Sequence, residues 1–293
     1  MKEAWYRIIL AGGDQPALVV APGAHLGAAL DVALARAARG QERWPVAAEL
    51  ATAGDVPLGE SVGRGVVVAR DAPAEVPAWR WPSGIVPTPD GARRLGAPRD
   101  GYVVHRHDAG AALEAVVAGD RVVEVFMQLV EELPSADNIE VRVAGHHGDA
   151  GISEVWLTPR LGDVRKVIRF LDDHDVELLG NGHVEVAVYV RAERATLRLT
   201  EHKRIVWVAA DDEVLARGEA WLAARGVPPL DAIADLTTVD HHHYRPGKSL
   251  PRKKLLERLH RMRLRRVDSW PDPPVADDRA GADDGAAPDA AAP

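Results

Sequence analysis

Residues 183–209 read HVEVAVYVRAERATLRLTEHKRIVWVA. Val184, Val186, Val188 and Val190 fall on one side of an alternating pattern, with Glu185 and Tyr189 on the other, which is the period of a half-buried strand. Strand-like runs recur at 195–200 and 203–209 after short polar breaks. Strands joined so tightly pair antiparallel, because a parallel crossover needs about a dozen residues or more. Gly180-Asn181-Gly182, just upstream, is a tight-turn signal.

Further strands are predicted near 5–10, 16–20, 46–52, 65–69, 102–104, 139–144, 153–158 and 175–179. Helices are predicted at 25–39, 111–117, 120–133, 163–173 and 213–225. The clearest helical stripe is Val122, Val123, Phe126, Met127, Val130 and Leu133. This order predicts an α+β fold with antiparallel sheets and packed helices in two domains. The expected boundaries are a small ββαββ-like domain over 1–72, a Pro-rich linker over 73–99 and a larger α+β domain over 100–240. A basic helical segment over 241–266 and a disordered acidic tail over 267–293 follow. The linker holds Trp79 and Trp81, whose rings are expected to pack on something. The tail has too little apolar content to offset the entropy of ordering.

The chain has 293 residues, 46% hydrophobic and 27% charged, with a net charge of −8. These values are ordinary for a soluble globular protein. The absence of cysteine excludes disulfides, thiolate metal sites and a cysteine nucleophile. No apolar run approaches transmembrane length, and the first twenty residues carry no signal-peptide core. The expectation is a cytoplasmic protein without a membrane partner. Thirty arginines against six lysines, with abundant alanine, is the composition expected of a GC-rich bacterial gene.

Charge is unevenly spread. Residues 241–266 carry ten Lys/Arg and one acid, a net of +9, whereas 267–293 carry seven Asp and one Arg, a net of −6. Within the basic segment Arg252, Lys253, Lys254, Arg258, Arg261, Arg263, Arg265 and Arg266 surround a stripe of Leu255, Leu256, Leu259 and Met262. Such an amphipathic basic helix can lie in a partner's groove, coat phosphates, lie on an anionic membrane or pack on its own domain.

Seven of the twelve histidines fall in three clusters, His105/His107, His146/His147 and His241–His243, each near an aspartate. In a strand, residues two apart share a face, so His105 with His107 and His241 with His243 can converge. Two such groups brought together, with His146 and His147, would suit zinc or a similar ion. The plainer reading is polar residues tolerated at strand ends and loops. The triple histidine also sits at the junction with the basic helix, where protonation near pH 6–7 would add positive charge. Gly59-Glu60-Ser61-Val62-Gly63 matches a serine-hydrolase elbow, but a strand pattern follows where that motif needs a helix, so it reads as a turn. No phosphate-binding loop, dinucleotide fingerprint or zincin motif is present, and no cofactor is assigned. The functional expectation is a non-enzymatic intracellular adaptor or assembly protein that docks Arg252–Arg266 on a protein partner. The alternatives are a metal-dependent hydrolase using the clustered histidines and a nucleic-acid-associated protein using residues 245–266.

Overall fold

Antiparallel pairing organises most of the chain. The structure, a computed structural model, describes residues 4–37, 41–51, 60–61, 67–69, 79–107, 110–147 and 151–271. The first elements are β1 (Ala4–Ala11), β2 (Ala17–Gly23), α1 (Leu26–Ala37), β3 (Trp44–Ala51), β4 (Glu60–Ser61) and β5 (Val67–Ala69). They form a five-stranded sheet in the order β3-β1-β2-β5-β4, with α1 on one face. Ile8, Leu10, Val19 and Ala21 meet Leu26, Ala29, Leu30 and Ala33 there in a first core. Ser61 lies in β4, paired with Val67, so a strand follows it rather than a helix; the glycines of that pentapeptide lie outside the described residues.

From residue 79 onward the Pro-rich stretch is part of the fold. It holds β6 (Ile85–Pro87) and α2 (Pro89–Leu95), with Ile85 and Val86 fully buried in the first core. The Trp81 indole donates to the Val46 carbonyl at 3.2 Å, and Trp79 stacks edge-on against Trp81. Two apolar residues at the start of β6 and two tryptophans bury too much surface to be left as a spacer.

Next come β7 (Gly101–His107), β8 (Gly110–Val116), α3 (Val122–Glu131), β9 (Asn138–Val143), β10 (Ile152–Leu157), α4 (Val164–Asp172) and α5 (Asp175–Leu178). They are followed by β11 (Val184–Val190), β12 (Ala195–Leu199), β13 (Ile205–Ala209), α6 (Asp212–Ala224), β14 (His241–His243), α7 (Arg252–Arg261) and β15 (Arg265–Pro271). Eight of these strands form one sheet, β15-β10-β9-β11-β12-β13-β8-β7. Its register puts Val186 opposite Leu199 and Val141, Leu199 opposite Ile205, and Ile205 opposite Ala115. One face is therefore apolar across the central strands, and it packs with residues of α3, α4, α6 and α7 into a second core. The other face carries cross-strand polar pairs, including Arg198–Glu185 and a 2.6 Å bond from the Tyr189 hydroxyl to Glu140.

Two elements differ from the sequence expectation. The helix expected at 111–117 is strand β8 (Gly110–Val116), with Ala111, Leu113 and Ala115 buried and Glu114 on the other side. Their alanine content favours helix locally, but pairing with both β7 and β13 overrides that propensity. Residues 175–178 form one helical turn, closed by bonds from Leu178 N–H to the His174 carbonyl at 2.9 Å and from Leu179 N–H to the Asp175 carbonyl at 2.7 Å, with both leucines buried. The expected basic segment also divides into β14, α7 and β15, and β15 carries the chain as far as Pro271. From residue 272 the acidic tail lies outside the described residues.

The short ribbon β6–β14 meets the second core's turn 180–184. Gly182 N–H donates to the Tyr244 carbonyl at 3.0 Å, and Tyr244 N–H donates to the Gly84 carbonyl at 2.8 Å. A Cβ on Gly182 would stand 1.7 Å from the Gly84 carbonyl oxygen. Gly182→Ala therefore forces backbone apart and should lower stability by about 1–3 kcal/mol, the usual range for overpacking. A urea midpoint equal to wild type would contradict this.

Candidate metal centre

Alternation along β14 turns His241 and His243 to one side and His242 to the other. His242 faces the β3 backbone at Ala48, and its Nε2 is buried without a hydrogen-bond partner among the described residues. His241 and His243 face the end of the large sheet, their Nε2 atoms 3.1 Å apart. A third ring, His202, comes from the turn between β12 and β13. Its centroid lies 5.1 Å from His241 and 4.8 Å from His243. One ligand nitrogen from each of the three falls within 4.8 Å of the other two.

That turn is tightly held. Thr200 N–H donates to the Arg204 carbonyl at 2.9 Å, and Lys203 takes a left-handed backbone with φ 57°. The Lys203 ammonium is buried and donates to the carbonyls of Asn181 (2.7 Å) and Val184 (3.2 Å). Burial pushes its pKa down to about 7. Lys203 thus staples the His202 turn to the 181–184 turn, whose Gly182 carbonyl contacts His243. Arg204 secures the other side through Glu114 and Asp235.

The hydrogen bonds settle the tautomers. His241 Nδ1 lies 2.8 Å from the Val239 carbonyl, and His243 Nδ1 lies 2.5 Å from the Gly182 carbonyl. A carbonyl only accepts, so both Nδ1 atoms carry hydrogen and, in the neutral rings, both Nε2 atoms present lone pairs. Two lone pairs at 3.1 Å repel unless a cation lies between them. Burial, followed by the neighbouring His146 and His202, holds the His243 pKa down at about 2, which disfavours a proton there. A metal ion answers the same need. Tetrahedral zinc with Zn–N near 2.0–2.1 Å sets its nitrogen ligands about 3.3 Å apart. An Nδ1–H bonded to a backbone carbonyl is also the usual outer-shell support for an Nε2 metal ligand.

Three more histidines border the centre. His146 lies 4.5 Å from His243 and 5.0 Å from His183, centroid to centroid, and His147 stacks on His183 at 4.4 Å. His147 Nε2 and His183 Nδ1 are buried without hydrogen-bond partners among the described residues. Burial and neighbouring cationic groups lower the pKa of His147 to about 4 and that of His183 to about 2. His202 is lowered to about 4, mainly by burial and then by His241 and Arg204. The protonation expected of the triple histidine near pH 6–7 therefore fails at His243, where desolvation dominates.

The structure gathers His146, His147, His241 and His243 of the histidines singled out from sequence. It does not bring in His105, which sits in β7 opposite Ala112, level with Val208 and toward the other end of the strands. Its Nε2 contacts Glu114 at 3.2 Å. His107 is paired with Gly110 still nearer the hairpin tip. His183 and His202 escaped the sequence reading because each stands alone in the chain; the signal was a single histidine beside a strand-to-strand turn.

The basic helix is anchored internally. Leu255 and Leu259 are buried in the second core, with Leu256 and Met262 packed against it. Arg252 bonds the Ala144 carbonyl and Glu154, and Arg258 lies 3.7 Å from Glu177. Lys253, Lys254, Arg261, Arg263, Arg265 and Arg266 are exposed. No helix among the described residues is long and apolar enough to cross a membrane. No protein-family model, curated protein or solved structure matches the chain.

The lowered histidines fix a pH dependence. Each ring binds its proton more readily in the unfolded chain, where its pKa is near 6.5, than in the folded one. Stability is therefore complete above about pH 6.5 and falls as pH drops from there toward the folded values. In chelator, the urea midpoint should fall steadily between about pH 7 and pH 4.5, and less steeply in His183→Asn. A midpoint that stays flat over this range would refute the assignment of neutral buried rings.

Proposed function

We propose that the protein holds a divalent transition-metal ion on His202, His241 and His243 and uses it for hydrolytic chemistry. The facing Nε2 atoms of His241 and His243, each fixed by an Nδ1–H bond to a carbonyl, carry this reading. Neutral imidazole donors suit zinc, copper, nickel or cobalt and not magnesium or calcium, which take oxygen ligands. Three protein ligands rather than four leave a position for water, the pattern of catalytic zinc sites. Such an ion supplies a hydroxide near neutral pH and polarises a substrate oxygen. The protein's own part is to orient the rings through Val239 and Gly182 and to brace the His202 turn through Lys203. His146, exposed and next to His243, stands where an incoming substrate would pass.

Docking by α7 on a protein partner would rely on its exposed basic residues, since Leu255 and Leu259 are spent on the chain's own core. Nucleic-acid binding through residues 245–266 would draw on the same charges.

Metal analysis tests the proposal directly. Untagged protein should carry or take up about one equivalent of zinc or cobalt. His241→Asn and His243→Asn should each weaken uptake at least tenfold, and activity on a 4-nitrophenyl ester should vanish with chelator. Uptake below about 0.1 equivalent with the ion in excess would overturn the metal reading. Full uptake without hydrolysis of ester or phosphodiester probes would overturn the hydrolytic half alone.

A further inference from the structure

At the end of the large sheet away from the histidines lies a cleft of about 380 Å³. Its polar lining is Asn138, Thr158, Arg160, Arg191, Arg263 and Arg265. These come from the start of β9, just past the ends of β10 and β11, and the α7–β15 turn, and the last three of these stretches bring four arginines to one place. All four are exposed. The carboxylate drawn into the group is Asp137, which accepts from Arg160 at 2.9 Å and from the Arg191 backbone N–H at 3.0 Å. The Arg191 guanidinium donates to the Asn138 side-chain oxygen at 2.9 Å, which holds it at the cleft wall. An adjoining cleft of about 510 Å³ shares Arg160 and Arg191. Four guanidinium groups line the cleft and repel one another, and of the four only Arg160 pairs its guanidinium with Asp137, in a chain whose net charge is −8.

The backbone at Arg263 points the same way. Helix α7 ends in a Schellman turn: Arg263 N–H bonds the His260 carbonyl at 2.9 Å, and Leu264 N–H bonds the Leu259 carbonyl at 3.1 Å. The residue at the left-handed position of this turn is usually glycine, because a Cβ is disfavoured there. Here it is Arg263 with φ 64°. The turn needs no side chain at this point for folding, yet it presents a guanidinium to the cleft. A residue kept against backbone preference is a marker of function when other features converge on it.

We infer that this arginine cleft binds a pair of linked phosphates, as in pyrophosphate or the diphosphate of a nucleotide. Guanidinium forks match phosphate oxygens in bidentate geometry. One phosphate monoester carries about −1.5 to −2 near neutral pH, so two linked groups better balance four arginines and one aspartate. The lining contains no aromatic ring for base stacking, so recognition is of the phosphates. The inference does not depend on the histidine centre.

Calorimetric titration with pyrophosphate and with ADP tests it, beside a 20-base-pair DNA duplex. Pyrophosphate should bind wild type and lose at least tenfold in affinity in Arg263→Gly/Arg265→Ser. Arg263→Gly relieves the backbone, so thermal stability should hold or rise and the loss is not one of folding. Lys253→Ser/Lys254→Ser, which removes exposed charge elsewhere on α7, should bind as wild type. His241→Asn should also bind as wild type, which separates this cleft from pyrophosphate captured by a metal ion. ADP bound more tightly than pyrophosphate would mark the nucleotide as source; pyrophosphate bound more tightly than ADP would mark the free anion. Equal affinity in the Arg263/Arg265 variant, an equal loss in the Lys253/Lys254 variant, or binding of duplex without pyrophosphate would each overturn the inference.

Discussion

The backbone contact between Gly84 and Gly182 ties the two cores together. No side chain lies between the strands here, so the Tyr244 backbone bonds both ways, to Gly182 and to Gly84. Buried amides and carbonyls need partners, and this seam supplies them for segments far apart in sequence. It also fixes the height of β14 against the large sheet. His243 reaches the Gly182 carbonyl, and His241 follows two residues away on the same face. The centre is a consequence of how closely two glycines allow two backbones to approach.

Desolvation then sets the chemistry. Histidines left in water near neutral pH would be partly protonated and would repel a metal cation. Burial at this seam disfavours the charged ring, so His202, His243, His183 and His147 stay neutral. Neutral imidazole is the metal-binding form, and the same burial makes the site sensitive to acid. Lys203 plays another part: its buried side-chain nitrogen donates to two carbonyls and holds the turn.

The net +9 of residues 241–266 is a statistic of the chain and not of a surface. Folding sends Arg252 and Arg258 inward to Glu154 and Glu177, and it turns Arg263 and Arg265 toward Arg160 and Arg191. Lys253 and Lys254 face solvent. What reads as one basic helix is a helix docked by Leu255 and Leu259, a Schellman turn and an edge strand, with separate fates for their charges.

Local covalent geometry is legible in sequence. Alternation marked β11, β12 and β13, helical spacing marked α3, α4 and α6, and the two-residue period put His241 and His243 on one face. Where local preference conflicted with pairing, as in the alanine-rich β8, or where a short apolar stretch closed into a single helical turn, as at α5, reading along the chain failed. His146 and His147 were legible as candidate partners of the histidine pair, but the other rings beside it were not. His202 and His183 are single residues at turns, and only the strand order brings their tips beside β14. The same holds for Arg160, Arg191, Arg263 and Arg265. Side-chain period belongs to each residue's own backbone. Convergence belongs to the pairing of distant strands, whose energy is shared among hydrogen bonds and buried contacts that no single stretch of sequence contains.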